Sequence, residues 1–168
     1  MTEIRLQPLS EQHLEPLRRM LDDPVTVRFT RVPDPVPDGF EHQWYAGYVA
    51  GRAEGTREVF AVLEDDAFLG IGVAPDISRS ERTVELGYIV DAAQRGRGVA
   101  TATLLGLTHW AFAELDPVRV ELLISEANAA SKAVARRCGY TYEGTLRSKF
   151  MKAGVWEDTT VWSRLAGE

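Results

Sequence analysis

The sequence predicts an α+β fold of three layers, in which helices cover a mixed, mostly antiparallel central sheet. One observation is the order of the periodic segments, which runs β, α, α, several β, α, β, α, β, β. A second is the short acidic turn Glu64–Asp66 between two strand-like runs. A third is the length of 168 residues, which fits one domain. We therefore expect a single domain over residues 1–168, with about six to seven strands and about four helices.

The N-terminal half contains the first strands and two of the helices. A strand is expected at Ile4–Leu6, and Ser10 is placed to cap a helix from about Glu11 to Leu21. The Pro-rich stretch 32–39 must be a loop, and a second helix starts near Asp38. Alternating or continuous apolar runs predict three further strands. These are Val59–Leu63, Phe68–Val73 and Thr83–Val90.

The C-terminal half is predicted from apolar spacing and from helix-ending residues. Ala100, Leu104, Leu107 and Ala111 share one face of a helix over Gly98–Glu114. Gly139 is placed to end a shorter helix that begins at Asn128. The remaining segments are strands, of which the last two are expected to pair antiparallel. They are Arg119–Ile124, Thr141–Leu146 and Trp156–Leu165.

Composition excludes several classes of protein. The formal net charge of −6 disfavours nucleic acid as a partner, because such binders normally present a basic face. No apolar run approaches the roughly 20 residues of a membrane-spanning helix, and the N-terminus does not resemble a secretory signal. Cys138 is the single cysteine, so an internal disulfide is impossible. These features favour a cytoplasmic protein. The three histidines lack metal-ligand spacing, so no metal is expected.

The loop Arg95–Thr101 carries the first functional signal. Gly96 and Gly98 allow unusual backbone angles, so that successive amide groups can converge on an anion. The helix that follows adds the positive end of its dipole, and Arg95 and Arg97 add charge. The loop is therefore a candidate phosphate site. A tight strand-to-helix turn with solvated arginines is the alternative that these residues leave open.

Several spaced motifs resemble one family. Arg95-x-x-Gly98-x-Ala100 resembles the acetyl-CoA signature of the GNAT acetyltransferases, Gln/Arg-x-x-Gly-x-Gly/Ala, and Glu85–Val90 resembles the strand before it. Later segments are similar to the RimJ/RimL-like branch, which acts on ribosomal proteins. Those segments are Asn128-Ala-Ala-Ser131, Cys138-Gly139-Tyr140, Glu143–Arg147, Trp156–Asp158 and Val161–Ser163.

The resemblance implies acetyl-CoA as co-substrate and assigns residues to it. The pyrophosphate would bind the loop, and Ile89 and Val90 would pair with the pantetheine arm where a bulge splays two strands in this family. Asn128 would also bond that arm, or serve only as a helix N-cap. The implied cofactor-binding set is Ile89, Val90, Arg95, Gly96, Arg97, Gly98, Val99, Ala100, Thr101, Asn128 and Ser131.

Amine acetylation requires a neutral amine, and a carboxylate can accept its proton directly or through water. Glu85 is the expected base, with Glu121 and Glu126 as alternatives. In many members of the family a tyrosine protonates the leaving thiolate, but Ala135 occupies that position here. Ser131 is the expected substitute, although a coenzyme A thiol can leave without a dedicated acid.

The expected function is transfer of an acetyl group from acetyl-CoA to a primary amine by direct attack in a ternary complex. The acceptor is a protein N-terminus or a small-molecule amine, and relatives suggest a homodimer as one arrangement. A non-catalytic acyl-CoA sensor or partner module is the alternative, and a generic phosphate-binding protein is a third. Phe40, Trp44 and Tyr48 lie on one helix face, which either lines the acceptor pocket or packs in the core.

Overall fold

The computed structural model describes residues 3–168. They form one seven-stranded sheet in the order β1-β2-β3-β4-β5-β7-β6, in which only β4 and β5 are parallel neighbours. The predicted mixed, mostly antiparallel sheet is confirmed. The strands are β1 Arg5–Pro8, β2 Glu58–Glu64, β3 Ala67–Ser78, β4 Thr83–Val90, β5 Arg119–Ser125, β6 Thr141–Lys152 and β7 Val155–Leu165.

Helices cover both faces of the sheet and complete the three layers. The α-helices within the described range are α1 Leu14–Leu21, α2 Pro24–Phe29, α3 Phe40–Glu54, α4 Val99–Leu115 and α5 Ala129–Arg137. Short 3₁₀ turns precede α1 at Glu11–His13 and follow β4 at Ala92–Gln94. None of these helices is long and apolar enough to cross a membrane.

The core lies in two main layers, one on each side of the sheet. On one face, Leu104, Leu107 and Ala111 of α4 are buried against the strands, as their spacing predicts. On the other face, α1 and α3 pack on β2 and β3. Tyr48 is buried in that second layer, with Trp44 and Phe40 packed against it, so the aromatic stripe of α3 belongs to the core.

Helix α2 was not predicted from the sequence, and local chemistry explains why it forms. The Asp23 side chain accepts a hydrogen bond from the Thr26 amide at 2.8 Å and caps the helix, and Pro24 occupies its first turn. With six residues, α2 is too short for a clear periodic stripe. Strand β6 also runs beyond the predicted Leu146, because its pairing with β7 resumes after an irregularity between Leu146 and Phe150.

The parallel pair β4–β5 is joined only at its beginning. The register covers Thr83 to Glu85 on β4 and Arg119 to Glu121 on β5. The following stretches, 86–90 of β4 and 122–125 of β5, are not paired with each other; we call the interval between them the strand gap. Strand β4 remains paired with β3 along its length, apart from a bulge in β3 where Ala74 and Pro75 lie opposite Leu86. The bulge expected beside this strand is therefore on its β3 side.

Candidate functional site

The strand gap presents backbone groups of β4. The Asp91 amide donates to the Leu69 carbonyl of β3 at 2.9 Å. Because backbone groups of successive strand residues point to opposite edges, Ile89 also directs its amide and carbonyl at β3, where it pairs with Ile71. The backbone amides and carbonyls of Val90 and Tyr88 point to the other edge of β4, at the strand gap. Of the two residues expected to contact pantetheine, Val90 therefore has free backbone groups at the gap, whereas those of Ile89 are used within the sheet.

The glycine-rich loop joins this end of β4 to α4. Gly96 and Gly98 have φ values of 77° and 84°, in the left-handed region that favours glycine. Gly98 is the N-cap of α4 and supplies no side-chain cap. The first-turn amides of Val99, Ala100 and Thr101 therefore have no partner within the helix and can bind an anion. No acidic residue lies in that first turn.

The two arginines of the loop are held in ion pairs. Arg95 contacts Asp23 at 2.5 Å, which anchors the loop to the N-terminus of α2 and lowers the pKa of the Asp23 carboxyl. Arg97 contacts Glu64 at 2.8 Å and also donates to Gln94. Both guanidinium charges are thus partly offset by carboxylates. Backbone amides and the helix terminus are therefore the groups of this loop that are left to interact with an anion.

Asn128 and Ser131 lie together at the start of α5. The Asn128 Oδ1 atom accepts a hydrogen bond from the Ser131 amide at 3.1 Å, so Asn128 is the N-cap, as predicted from its position. Its side-chain NH₂ group remains a possible donor to another ligand. The Ser131 hydroxyl lies 3.0 Å from the Tyr88 hydroxyl. Sequence reasoning placed Tyr88 only within a strand and did not find this contact, because it joins residues 43 positions apart.

Glu85 lies on the opposite face of the sheet from Tyr88 and Ser131. Side chains alternate along β4, and its even-numbered members Val84, Leu86 and Tyr88 pack with the layer that contains α4 and α5. Glu85 therefore points to the face covered by α1 and α3. Glu85, the expected base, and Ser131, the expected acid, are not in contact. They lie beside the strand gap on opposite faces of the sheet.

The surroundings of Glu85 raise its pKa. Burial is the largest cause, and the neighbouring carboxylates of Glu121 and Asp76 add to it, since they lie opposite Glu85 on β5 and β3. Arg31 and Lys149 act in the other direction. Across residues 3–168, no cation lies within ion-pair distance of Glu85.

The two alternative bases are already engaged in ion pairs. Glu121 pairs with Arg119 at 2.8 Å, and Glu126 pairs with Lys132 at the same distance. Of these three carboxylates, Glu85 is the one without an ion-pair partner in the part of the chain that the structure describes.

A groove of about 490 Å³ opens beside the end of β5. Among its lining residues, Arg28 of α2 pairs with Glu157 of β7 at 2.7 Å, and Trp156 is largely exposed. Three carboxylates against one guanidinium make its lining acidic overall. The lining residues are Arg28, Ser125, Glu126, Ala127, Trp156, Glu157 and Asp158.

The possible metal ligands and the single cysteine bear on two other kinds of chemistry. Among residues 3–168, no group of three or more His, Cys, Asp or Glu side chains is arranged to hold a metal ion. Cys138 is buried near the end of α5, and burial raises the pKa of its thiol, which disfavours the reactive thiolate.

A sheet that opens between two parallel strands, beside a glycine-rich loop at a helix N-terminus, has the shape expected for binding an extended, phosphate-bearing ligand. Residues 3–141 match the family model described as Acetyltransferase (GNAT) domain. The chain belongs to the GNAT acetyltransferase family, as its motifs suggested.

The sequence relatives of this chain match it over different fractions of their length. The chain is 32% identical over 98 residues to the probable N-acetyltransferase YjcK of Bacillus subtilis, which covers 58% of this chain and 54% of that protein. It therefore spans little more than half of that relative. It is 26% identical over 168 residues to the L-amino acid N-acetyltransferase AaaT of Escherichia coli, with 98% and 99% of the two chains covered.

Solved structures share the fold. The RimL ribosomal L7/L12 alpha-N-protein acetyltransferase in complex with coenzyme A has a TM-score of 0.89 at 22% identity, with 98% of this chain and 95% of that chain covered. The spermidine N-acetyltransferase from Vibrio cholerae, in complex with CoA and spermine, has a TM-score of 0.86 at 17% identity, with 98% and 96% covered.

Proposed function

We propose that this protein transfers an acetyl group from acetyl-CoA to a primary amine, by direct attack within a ternary complex. The observation that carries the proposal is the strand gap, whose open end leads to the glycine-rich loop. An extended thioester needs a slot with free backbone groups, and its pyrophosphate needs convergent amides close by. Both requirements are met within the span from Tyr88 to Thr101.

The donor would be held mainly by the backbone. Gly96 to Thr101 would bind the pyrophosphate through loop and helix amides, which need no side-chain charge. Val90 would pair with the pantetheine arm across the strand gap, and Asn128 would donate to the same arm with the NH₂ group left free by its cap. Arg95 and Arg97 would contribute after loosening their pairs with Asp23 and Glu64.

Glu85 would act as the general base. An alkyl amine is mostly protonated at neutral pH and cannot attack until it loses that proton. A half-buried carboxylate with a raised pKa and no ion-pair partner is a stronger base than an exposed one. The Val90 amide, five residues farther along β4, faces the gap and would stabilise charge on the thioester oxygen.

Ser131 would stabilise the leaving thiolate by donating its hydroxyl hydrogen bond to the sulfur. The Asn128 cap fixes its position at the start of α5. The partner of the Ser131 hydroxyl among the described residues is the Tyr88 hydroxyl and not a backbone group. Ser131 and Glu85 would then serve the two ends of the reaction from opposite faces of β4. The placement of Glu85 and Ser131 on opposite faces suits the reaction, in which the amine approaches the carbonyl carbon while the sulfur leaves it.

The acceptor would enter the acidic groove between α2 and the β6–β7 hairpin. Its carboxylates favour a cationic amine, and Trp156 offers an apolar surface for the rest of the molecule. We assign the acceptor to the class of protein N-termini or small-molecule amines, in the RimJ/RimL-like branch of the family. Relatives named for ribosomal-protein serine and for L-amino acids support both members of this class.

A thiol-release assay with acetyl-CoA tests the proposal. The panel should include N-terminal peptides, amino acids and polyamines, with mass spectrometry of each product. We expect thiol release that depends on one class of amine and a product that is heavier by one acetyl group. Coenzyme A binding without amine-dependent thiol release on any member would support the non-catalytic sensor instead.

A further inference from the structure

The hydroxyl groups of Tyr88 and Ser131 form a link between β4 and α5. They lie 3.0 Å apart, and the link begins in the part of β4 that is not paired with β5. The Tyr88 ring packs against the main core cluster, which includes Val134 and Ala135 of α5. The packed, partly buried ring fixes the position of the Tyr88 oxygen, and the phenolic O–H prefers the plane of that ring, whereas a serine hydroxyl alone rotates freely.

The surroundings of Ser131 offer few other partners for its oxygen. The residue one turn later on the same helical face is Ala135, which is fully buried with an exposed fraction of 0%. Cys138 follows near the end of the helix, and its thiol donates to the Thr101 carbonyl instead. The Asn128 oxygen is used by the Ser131 amide. Among the described residues, Tyr88 is therefore the hydroxyl partner of Ser131.

The direction of this hydrogen bond decides what Ser131 can do. A serine hydroxyl has one proton, so it can donate to only one acceptor. If Ser131 donates to Tyr88, no proton remains for the sulfur. If Tyr88 donates to Ser131, the serine proton stays free, and the accepted bond polarises the hydroxyl and strengthens its donation.

The acidity of the two hydroxyls favours the second direction, because a phenol is a far stronger acid than an aliphatic alcohol and is therefore the better hydrogen-bond donor. Burial raises the pKa of the Tyr88 phenol, although the bond to Ser131 acts against that rise. The phenol therefore keeps its proton throughout the neutral range and remains a donor.

We propose that Tyr88 is a positioning residue, which donates to Ser131 Oγ and so turns the Ser131 hydroxyl proton toward the thioester sulfur. This inference rests on the proposed acetyl transfer. In that step the amine nitrogen forms a bond to the carbonyl carbon, and the C–S bond breaks with its electron pair left on sulfur. The amine enters this step neutral, after its ammonium proton has passed to solvent through Glu85, and Glu85 takes the second proton that nitrogen loses as the amide forms. Tyr88 and Ser131 keep their protons and stabilise the thiolate through two hydrogen bonds in series.

The test combines turnover with a direct property of the bound thiol. Tyr88→Phe, Ser131→Ala and the double variant are compared with Tyr140→Phe. Tyr140 is a matched control, because its ring packs in the same core cluster and its hydroxyl lies 2.6 Å from a hydroxyl of α4, that of Thr108. For each protein, kcat is measured, and the pKa of the thiol of bound coenzyme A is followed by the ultraviolet absorbance of the thiolate.

The Tyr88→Phe variant should lose about fivefold in kcat, as expected for one neutral hydrogen bond. Its bound thiol should titrate at a higher pH than in the wild type, toward the value in Ser131→Ala. The double variant should match Ser131→Ala in both measurements, because Tyr88 acts through Ser131. Tyr140→Phe should match the wild type in both.

Three results would overturn the inference. They are an unchanged thiol pKa in Tyr88→Phe, effects of Tyr88→Phe and Ser131→Ala that simply add, or equal losses in Tyr88→Phe and Tyr140→Phe. A wild type that binds coenzyme A and acetylates no amine would instead refute the proposed function. The thiol titration would still report on Tyr88 in that case, so the two failures are distinguishable.

Discussion

Substitution of Gly98 by alanine should change two properties by different amounts, the stability of the fold and the affinity for coenzyme A. Gly98 has φ 84°, and a Cβ built there meets no atom within 4 Å. The folded protein therefore pays only for left-handed backbone in a non-glycine residue, about 1–2 kcal/mol. For a chain of this length the expected fall in Tm is about 2–8 °C. The variant should fold.

The same methyl group should have a larger effect on coenzyme A. The open space beside Gly98 lies at the amides that would bind the pyrophosphate. Losing one or two hydrogen bonds to a charged group costs about 2–4 kcal/mol. Coenzyme A should therefore bind about 30-fold to 1000-fold more weakly, as measured by titration calorimetry.

Gly55→Ala is the matched control for this experiment. Gly55 ends α3 with φ 72°, and its added Cβ also meets nothing within 4 Å. Both variants carry similar backbone strain, so they should show similar losses in thermal stability. Only Gly98→Ala should lose coenzyme A. If the two variants bind coenzyme A equally well, the phosphate site is not at this loop.

Three further substitutions test the base and two ion pairs. Glu85→Gln should lower kcat about a hundredfold; the wild-type rate should fall as pH drops through the raised pKa of Glu85, and the variant should lose that limb of its pH–rate profile. Asp23→Asn keeps a cap for α2 but loses the pair with Arg95, so thermal unfolding near neutral pH should show a loss of about 0.5–1 kcal/mol. Because the pKa of Asp23 is lowered in the folded state, this loss should vanish as pH falls through that lowered pKa; a loss that persists in acid would contradict the ion pair. Glu143→Gln should also destabilise the protein above the ordinary pKa of 4.5, since Arg119 and Ser163 lower the pKa of Glu143 to about 2; urea unfolding should show the difference disappearing between those values, and a constant difference would refute this cause.

Sequence patterns predicted the parts of the site whose conformation depends on residues close together along the chain. The Asn128 cap lies at the predicted helix start, and the glycine pair lies between β4 and α4 as expected. The apolar spacing of α4 identified its buried face. In each case neighbours along the chain determine the conformation, so the pattern is visible in a short stretch of sequence.

Contacts between distant segments could not be predicted in this way. The pairing of Arg95 with Asp23 joins residues 72 positions apart, and it depends on α2, which has no clear apolar period. The Tyr88–Ser131 link spans 43 positions. Which of Ile89 and Val90 faces the strand gap depends on strand register, and register is set by pairing with β3. Only the assembled sheet fixes these relationships.

Hydrogen exchange with and without acetyl-CoA tests most directly whether the strand gap holds the donor. The Val90 amide points at the gap and has no strand partner there, so its exchange should slow markedly when acetyl-CoA binds, together with the amides of Gly98 to Thr101. The Ile89 amide, which is bonded within the sheet, should change little. Protection confined to another surface, with the Val90 amide unchanged at saturating acetyl-CoA, would contradict a donor site between β4 and β5.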